Sequence, residues 1–155
     1  MRMSSASEYA LLALLTIGQH GDAWCKRQEI TDRYDIPGPF LEQILRKLSA
    51  AGFVVSRRGA EGGSRLARPA SAIAIADVMR AMDGPLAPTR SVSENFYQPS
   101  PLEASAAFHE LFRRVRDAIA AILEQTTLED ILERERRHHV RRRRRSGARP
   151  ATRRG

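Results

Sequence analysis

Residues 35–69 constrain the fold more than any other stretch of this 155-residue chain. Asp35-Ile36-Pro37-Gly38-Pro39 is a tight connection, and a proline is well placed in a first helical turn. In the segment that follows, positions 40, 41, 44, 45 and 48 are apolar, one helical stripe. The opposite face carries Glu42, Gln43, Arg46, Lys47 and Ser49, and Gly52 stands where a helix stops. Phe53–Arg57 and Ser64–Ala67 read as two short strands. Between them Arg58-Gly59-Ala60-Glu61-Gly62-Gly63 holds three glycines, which permit a tight tip. Pro69 ends the second strand.

The flanks fit round this unit. Ser5-Ala6-Ser7-Glu8 has the form of a capping box. It opens Tyr9–Ile17, apolar on nearly every side and hence central to a small core, with Gly18 and Gly21 ending it. Lys26–Tyr34 is a short helix with Ile30 and Tyr34 on one face. Ile75–Met82 is another, closed by Gly84-Pro85. Four prolines make residues 85–101 an irregular linker. From Leu102 a long helix is expected, with Phe108, Leu111, Val115, Ala118 and Ile122 stepping by three and four. Phe112 and Ile119 widen that seam. It is too short for a free-standing coiled coil but suits a dimer helix. The fold class is therefore mainly α with a small β-hairpin wing. The expected divisions are a winged helix-turn-helix domain (1–84), a linker (85–101), a dimerisation helix with its following segment (102–133), and an Arg-rich tail (134–155).

Charge separates these parts. The net charge is +8, but the last 22 residues hold eleven Arg and one Glu, so the rest of the chain is close to neutral. Residues 1–84 are mildly basic and 85–133 are acidic, which places nucleic acid near the first module. The tail shows no apolar periodicity and is expected to be disordered. It reads either as a sequence-independent phosphate binder or as a solvated appendage. The Tyr9–Ile17 run is half the length of a membrane span, and no secretory signal is visible, so a cytoplasmic, nucleoid-associated protein without membrane contact is expected. One cysteine, Cys25, excludes an internal disulfide and a multi-cysteine metal site within one chain. Beside Trp24 at a helix start, Cys25 reads as a small buried hydrophobe, against the alternative of a reactive thiol.

Three helices and a hairpin can dock on double-stranded DNA. The helix from Pro39 lies in the major groove, and the hairpin reaches the adjacent minor groove. By side-chain chemistry Gln43 suits adenine, Arg46 suits guanine, and Glu42 accepts from a cytosine amino group. Arg57 and Arg58 suit the electronegative minor groove. Tyr9, Lys26, Lys47 and Arg65 suit phosphates. A solvated helix face and an ordinary turn are the bland readings of these same residues; the combination is what is specific. No nucleophile–base set or paired carboxylate points to an enzyme, and Gly59–Gly63 lies between strands rather than before a helix, where a phosphate loop would need it.

Tyr9-Ala10-Leu11, Phe40-Leu41-Glu42-Gln43-Ile44-Leu45, Leu48-Ser-Ala-Ala-Gly52, Arg58-Gly59 with Gly62-Gly63, Arg65-Leu66-Ala67-Arg68-Pro69 and Asp77-Val78 resemble the Rrf2 family of winged-helix transcription regulators. The resemblance runs from about Ser4 to Leu132. It implies a homodimer on a palindromic operator, contacted by the helix from Pro39 and the wing around Arg58, with the Glu42 position tuning operator choice. The dimer surface would be Phe108, Leu111, Phe112, Val115, Ile119 and Ile122. Cluster-binding members carry three cysteines ahead of the dimer helix. In the register set by Gly84–Pro88, Val92-Ser93, Pro101 and Val115–Ile119, those places hold Ser91, Ser100 and Ala106. Thiolates are the usual cluster ligands, so no iron–sulfur cluster, metal or other cofactor is expected. His109, where some relatives have a ligand, reads as a helix-surface histidine; a retained metal role is the alternative. His138-His139 reads as tail composition. The function expected is sequence-specific regulation, as a repressor. The alternative is a winged-helix protein-interaction module whose tail binds nucleic acid non-specifically.

Overall fold

The computed structural model describes residues 3–94 and 97–146. Six α-helices and one hairpin make up the regular structure of these residues: α1 (Ser5–Gln19), α2 (Arg27–Tyr34), α3 (Gly38–Ala50), β1 (Val54–Arg57), β2 (Gly63–Leu66), α4 (Ile75–Asp83), α5 (Ala106–Gln125) and α6 (Leu128–Ser146). Short 3₁₀ turns precede α4, interrupt the linker at 90–92 and follow it at 101–104.

Helix α1 is the central element, as its all-round apolarity requires. Ala10, Ala13, Leu14 and Ile17 have no exposed surface. It packs against α3, α4, α6 and β2. Its cap is one residue earlier than the Ser5/Glu8 pattern suggests: the Ser4 hydroxyl accepts from the Ser7 N–H at 3.1 Å. Ser4 is fixed there because its own N–H and hydroxyl both donate to Asp83, at the end of α4. Gly18 does not end the helix. A Cβ there would lie 2.9 Å from Leu132 Cδ1, so its missing side chain is the seat for α6.

Helices α2 and α3 are joined by Asp35, in the left-handed region at φ 52°, and Pro37. Ile30, Ile36, Leu41, Ile44 and Leu48 seat this pair on α1 in the main core. The hairpin is antiparallel, with Val54 opposite Leu66 and Arg57 opposite Gly63. Gly63 adopts φ +152°, and a Cβ there would collide with the Cys25 carbonyl. Its absence lets Cys25 exchange two backbone hydrogen bonds with Ser64, each 2.9 Å, so the loop before α2 becomes a third rung on the wing.

Order does not end at Arg134. The expectation of a disordered tail from that residue is corrected: α6 is helical from Leu128 to Ser146, taking in the Arg141–Arg145 run. Apolar periodicity was the wrong test for this segment. Arg and Glu are good helix formers. The helix is anchored by buried Leu128 and Leu132 and supported by Arg137–Glu133 (2.7 Å) and Arg136–Glu129 (2.6 Å) ion pairs. Residues 147–155 lie outside the described residues. The long helix before it also starts later than expected. Pro101–Ala104 forms a 3₁₀ turn, and α5 begins at Ala106 with Ser105 as its cap.

Packing crosses the division expected at residue 84. Leu128 and Leu132 belong to the same core as Leu14 and Ile17. The Leu128 N–H donates to Ile73 (2.8 Å), and the Ile75 N–H donates to Thr126 (2.9 Å). A second cluster of Ile75, Ala76, Met79 and Leu86 is covered by Ile119, Leu123 and Ile131. No helix among the described residues is long and apolar enough to cross a membrane.

Candidate nucleic-acid interface

The outer side of α3 and the wing frame an open groove of about 590 Å³, lined in part by Lys26, Arg27, Glu42, Arg46, Arg57 and Arg58. The amphipathic stripe of α3 dictates this: burying Leu41, Ile44, Leu45 and Leu48 turns Gln43, Arg46 and Lys47 outward. Pro39 is exposed at the start of the same helix. Lys26 caps α2 and donates from Nζ to the Ala60 carbonyl, tying the helix-turn-helix to the wing tip.

Glu42 is engaged twice, with Arg46 one turn on at 2.5 Å and Arg27 from α2 at 3.3 Å. The hydrogen bond and charge of Arg46, reinforced by Arg27, hold its carboxyl below the ordinary glutamate range. Glu42 and Arg46, assigned separate bases on side-chain chemistry, are therefore each other's partners in the DNA-free protein. Arg27 was not singled out in the sequence, although it directly follows Lys26.

The two wing arginines differ. The Arg57 guanidinium lies 4.6 Å from the Trp24 ring centroid and also donates to the Glu61 carbonyl. Arg65 stacks on the same ring at 4.8 Å. Val55 pairs with Arg65, so Arg57, two residues on, shares its face, and both fall over Trp24. Arg57, the last residue of β1, is stacked on Trp24 yet still exposed, and Arg58 is exposed at the start of the tip. The role of Trp24 escaped sequence reading because it needs the strand register. Tyr9 is half-buried, its ring edge-on to Phe40 at 5.8 Å. Arg65 also borders a second groove, of about 890 Å³, with Arg68 and Arg136, behind the wing.

Along α5 the apolar positions divide between two faces. Phe108 (54%), Leu111 (48%), Val115 (36%) and Ile122 (66%) are exposed, which is unusual for such side chains on one helix face. Ile119 instead turns inward to the Ile75–Leu86 cluster, and Phe112 is half-buried. The free stripe is narrower than the seam read from sequence, because α4 claims part of it.

The places expected for cluster ligands do not fit an iron–sulfur cluster. Ser91 is buried and hydrogen-bonded to Thr89 at 3.2 Å. Ser100 caps the 3₁₀ turn, its Oγ accepting from the Leu102 N–H. Ala106 offers a methyl group. The linker is held instead by Arg116, which donates to the Val92 carbonyl at 2.8 Å and pairs with Glu94 at 3.4 Å. His109 is half-buried in the first turn of α5. Cys25 is fully buried, and burial, with the Glu29 charge second, pushes its thiol up to about 11. Desolvation outweighs any helix N-terminal effect, so the thiol is protonated and poorly nucleophilic near neutral pH.

Known proteins place this architecture. The Rrf2 family, described as "Iron-dependent Transcriptional regulator", matches residues 3–134. A Mycobacterium tuberculosis protein designated an HTH-type transcriptional regulator is 37% identical over 132 residues, covering 84% of this chain and 81% of its own length. The IscR regulator of Cereibacter sphaeroides is 31% identical over 140 residues, covering 88% of this chain and 90% of its own. The solved structure of CymR, the global cysteine regulator of Bacillus subtilis, superposes with a TM-score of 0.69 at 29% identity, over 86% of this chain and 97% of that one. These relatives are transcriptional regulators, not enzymes. The chain belongs to the Rrf2 family of winged helix-turn-helix transcriptional regulators.

Proposed function

We propose that this protein is a cytoplasmic, sequence-specific repressor that acts as a homodimer on a palindromic operator and carries no iron–sulfur cluster. The observation that carries the reading is the groove between α3 and the wing, lined by Lys26, Arg27, Arg46, Arg57 and Arg58, with Gln43 and Lys47 exposed on the same helix. An interaction module has no use for such a face. The apolar stripe of α5 supports a second copy as partner, since a helix-in-groove reader gains from two half-sites. For base contacts the residues are Pro39, Glu42, Gln43 and Arg46. Arg58 enters the minor groove, and Tyr9, Lys26, Lys47 and Arg65 position the backbone. Glu42 holds one guanidinium nitrogen of Arg46 and one of Arg27, which leaves their other N–H donors free to meet DNA while the pairs orient them. The cluster's absence is supported by the donor set at 91, 100 and 106. Anaerobically purified protein is expected to be colourless and free of acid-labile sulfide.

The test is titration of the protein against the DNA upstream of its own gene, beside a scrambled duplex of equal length. A preference for the upstream duplex is expected, and equal affinities would favour the interaction-module reading. In that assay Arg58→Ala costs about 1–3 kcal/mol if the wing enters the minor groove; unchanged binding removes the wing from the interface.

The basic half of α6 supports a sequence-independent contribution. Removing residues 137–155, which hold nine arginines, is expected to flatten the dependence of log affinity on log salt by several units if those side chains meet phosphates. Preference for the upstream duplex stays intact. Loss of that preference would give α6 a role in recognition rather than in general affinity.

A further inference from the structure

We propose that His20, Cys25 and Glu29 form a site for one divalent transition-metal ion of the zinc class, set at the joint between α1, α2 and the wing. The three belong to different local structures. His20 caps the C-terminus of α1, Cys25 sits on the rung shared with β2, and Glu29 lies in the first turn of α2. Their donor atoms nonetheless fall within 4.8 Å of one another. His20 Nε2 is 3.1 Å from Glu29 Oε2.

The chemistry of the set is specific. One thiolate, one imidazole and one carboxylate are three zinc ligands of accepted type, and a fourth position is left for water. A thiolate and a carboxylate neutralise a dication, while the imidazole binds uncharged. Supporting contacts are already present, as ligand orientation requires. Glu29 Oε1, the oxygen not facing His20, accepts the Lys26 N–H at 2.9 Å. Cys25 is held by its two backbone bonds to Ser64. Burial keeps the thiol protonated without metal, and a cation at the site deprotonates it. On binding, the S–H bond breaks, a metal–sulfur bond forms, and one proton leaves to solvent. The His20–Glu29 contact is exchanged for metal–nitrogen and metal–oxygen bonds, the Nε2 proton that made it passing through solvent to Nδ1 so that the imidazole stays neutral, with no change of oxidation state. The partly exposed side chains of His20 (29%) and Glu29 (45%) provide the way in.

An ion here would lock the end of α1 to the start of α2 and, through Ser64, to β2. That is the joint which sets how Lys26, α3 and the wing tip stand relative to one another. The site is separate from the linker at 85–101 and uses none of its residues.

The experiment uses full-length, reduced, chelator-treated protein titrated with cobalt(II) chloride, without DNA, so its outcome is independent of the operator reading. Expected are one ion per chain, a near-ultraviolet thiolate-to-cobalt charge-transfer band, visible bands of four-coordinate intensity, and displacement by zinc(II). C25S abolishes the charge-transfer band. H20A and E29Q, at partly exposed positions, each weaken binding at least tenfold while circular dichroism stays unchanged. Absence of the band in the reduced wild-type protein overturns the proposal. So does wild-type affinity in both H20A and E29Q, which would move the ion elsewhere, for example to His138-His139.

Discussion

If α5 pairs with its copy as proposed, Leu111→Asp is expected to yield a folded monomer whose affinity for operator DNA falls by a factor on the order of 10²–10⁴. Leu111 is half exposed in the single chain, in line with Phe108 and Val115 on one face of α5. An aspartate there faces water in the protomer, so the cost to the protomer's own stability is small, within about 0.5 kcal/mol. In a dimer the same carboxylate would be trapped beside its symmetry mate between apolar side chains, a burial that costs several kcal/mol unless paired. The loss in DNA binding follows because two linked half-site contacts reinforce each other through effective concentration, a gain of about 10²–10⁴ that a monomer forgoes. Sedimentation velocity and duplex titration on the same sample check both parts. A variant that remains dimeric with wild-type affinity places the partner surface elsewhere. Ile119→Asp is the instructive contrast. That side chain packs on α4 within the chain, so its replacement lowers protomer stability as well.

The double substitution Leu128→Ala, Leu132→Ala removes most of the protein's cooperative stability, although neither residue lies in the winged-helix segment. Both are nearly fully buried against α1, at 2% and 3% exposure. Leu→Ala in a well-packed core costs about 2–5 kcal/mol per site. Together that approaches the 5–15 kcal/mol that holds a typical domain folded. The two sites are one turn apart and share neighbours, so their effects need not add. Leu132→Ala also empties the seat opposite Gly18, which has no side chain of its own to fill it. Thermal denaturation followed by circular dichroism is expected to show a midpoint lowered by more than about 10 °C, or no cooperative transition. A shift of under about 5 °C would mean that the winged unit stands without α6.

The winged unit was legible in the sequence because each of its elements is governed locally. The Pro39–Gly52 helix has one clean stripe with both ends marked. The hairpin has glycines only where its tip and its close approach to Cys25 demand them. What was not legible depended on partners distant in the chain. Ser4 displaces Ser5 as the cap because Asp83 reaches it. Ile119 looked like part of the dimer seam until α4 was seen to cover it. Order beyond Arg134 was missed because helix propensity and ion pairs, rather than burial, carry that segment. In the candidate interface the exposed face of α3 followed directly from periodicity. The pairing of Glu42 with Arg46 and Arg27, and the folding of Arg57 onto Trp24, required the relative placement of α2, α3 and the hairpin. The His20–Cys25–Glu29 grouping has the spacing of a helix end, a loop and a helix start, and no periodic pattern links its members.

Trp24, flanked by Arg57 and Arg65, is the chain's sole tryptophan. Its emission therefore comes from one indole, located under the wing. Cationic groups against the ring alter its excited state, so whatever pulls either guanidinium toward a phosphate also changes the light the molecule gives off. The protein carries an intrinsic optical probe at the element proposed to meet DNA, and the approach of DNA to the wing can be timed without attaching a dye.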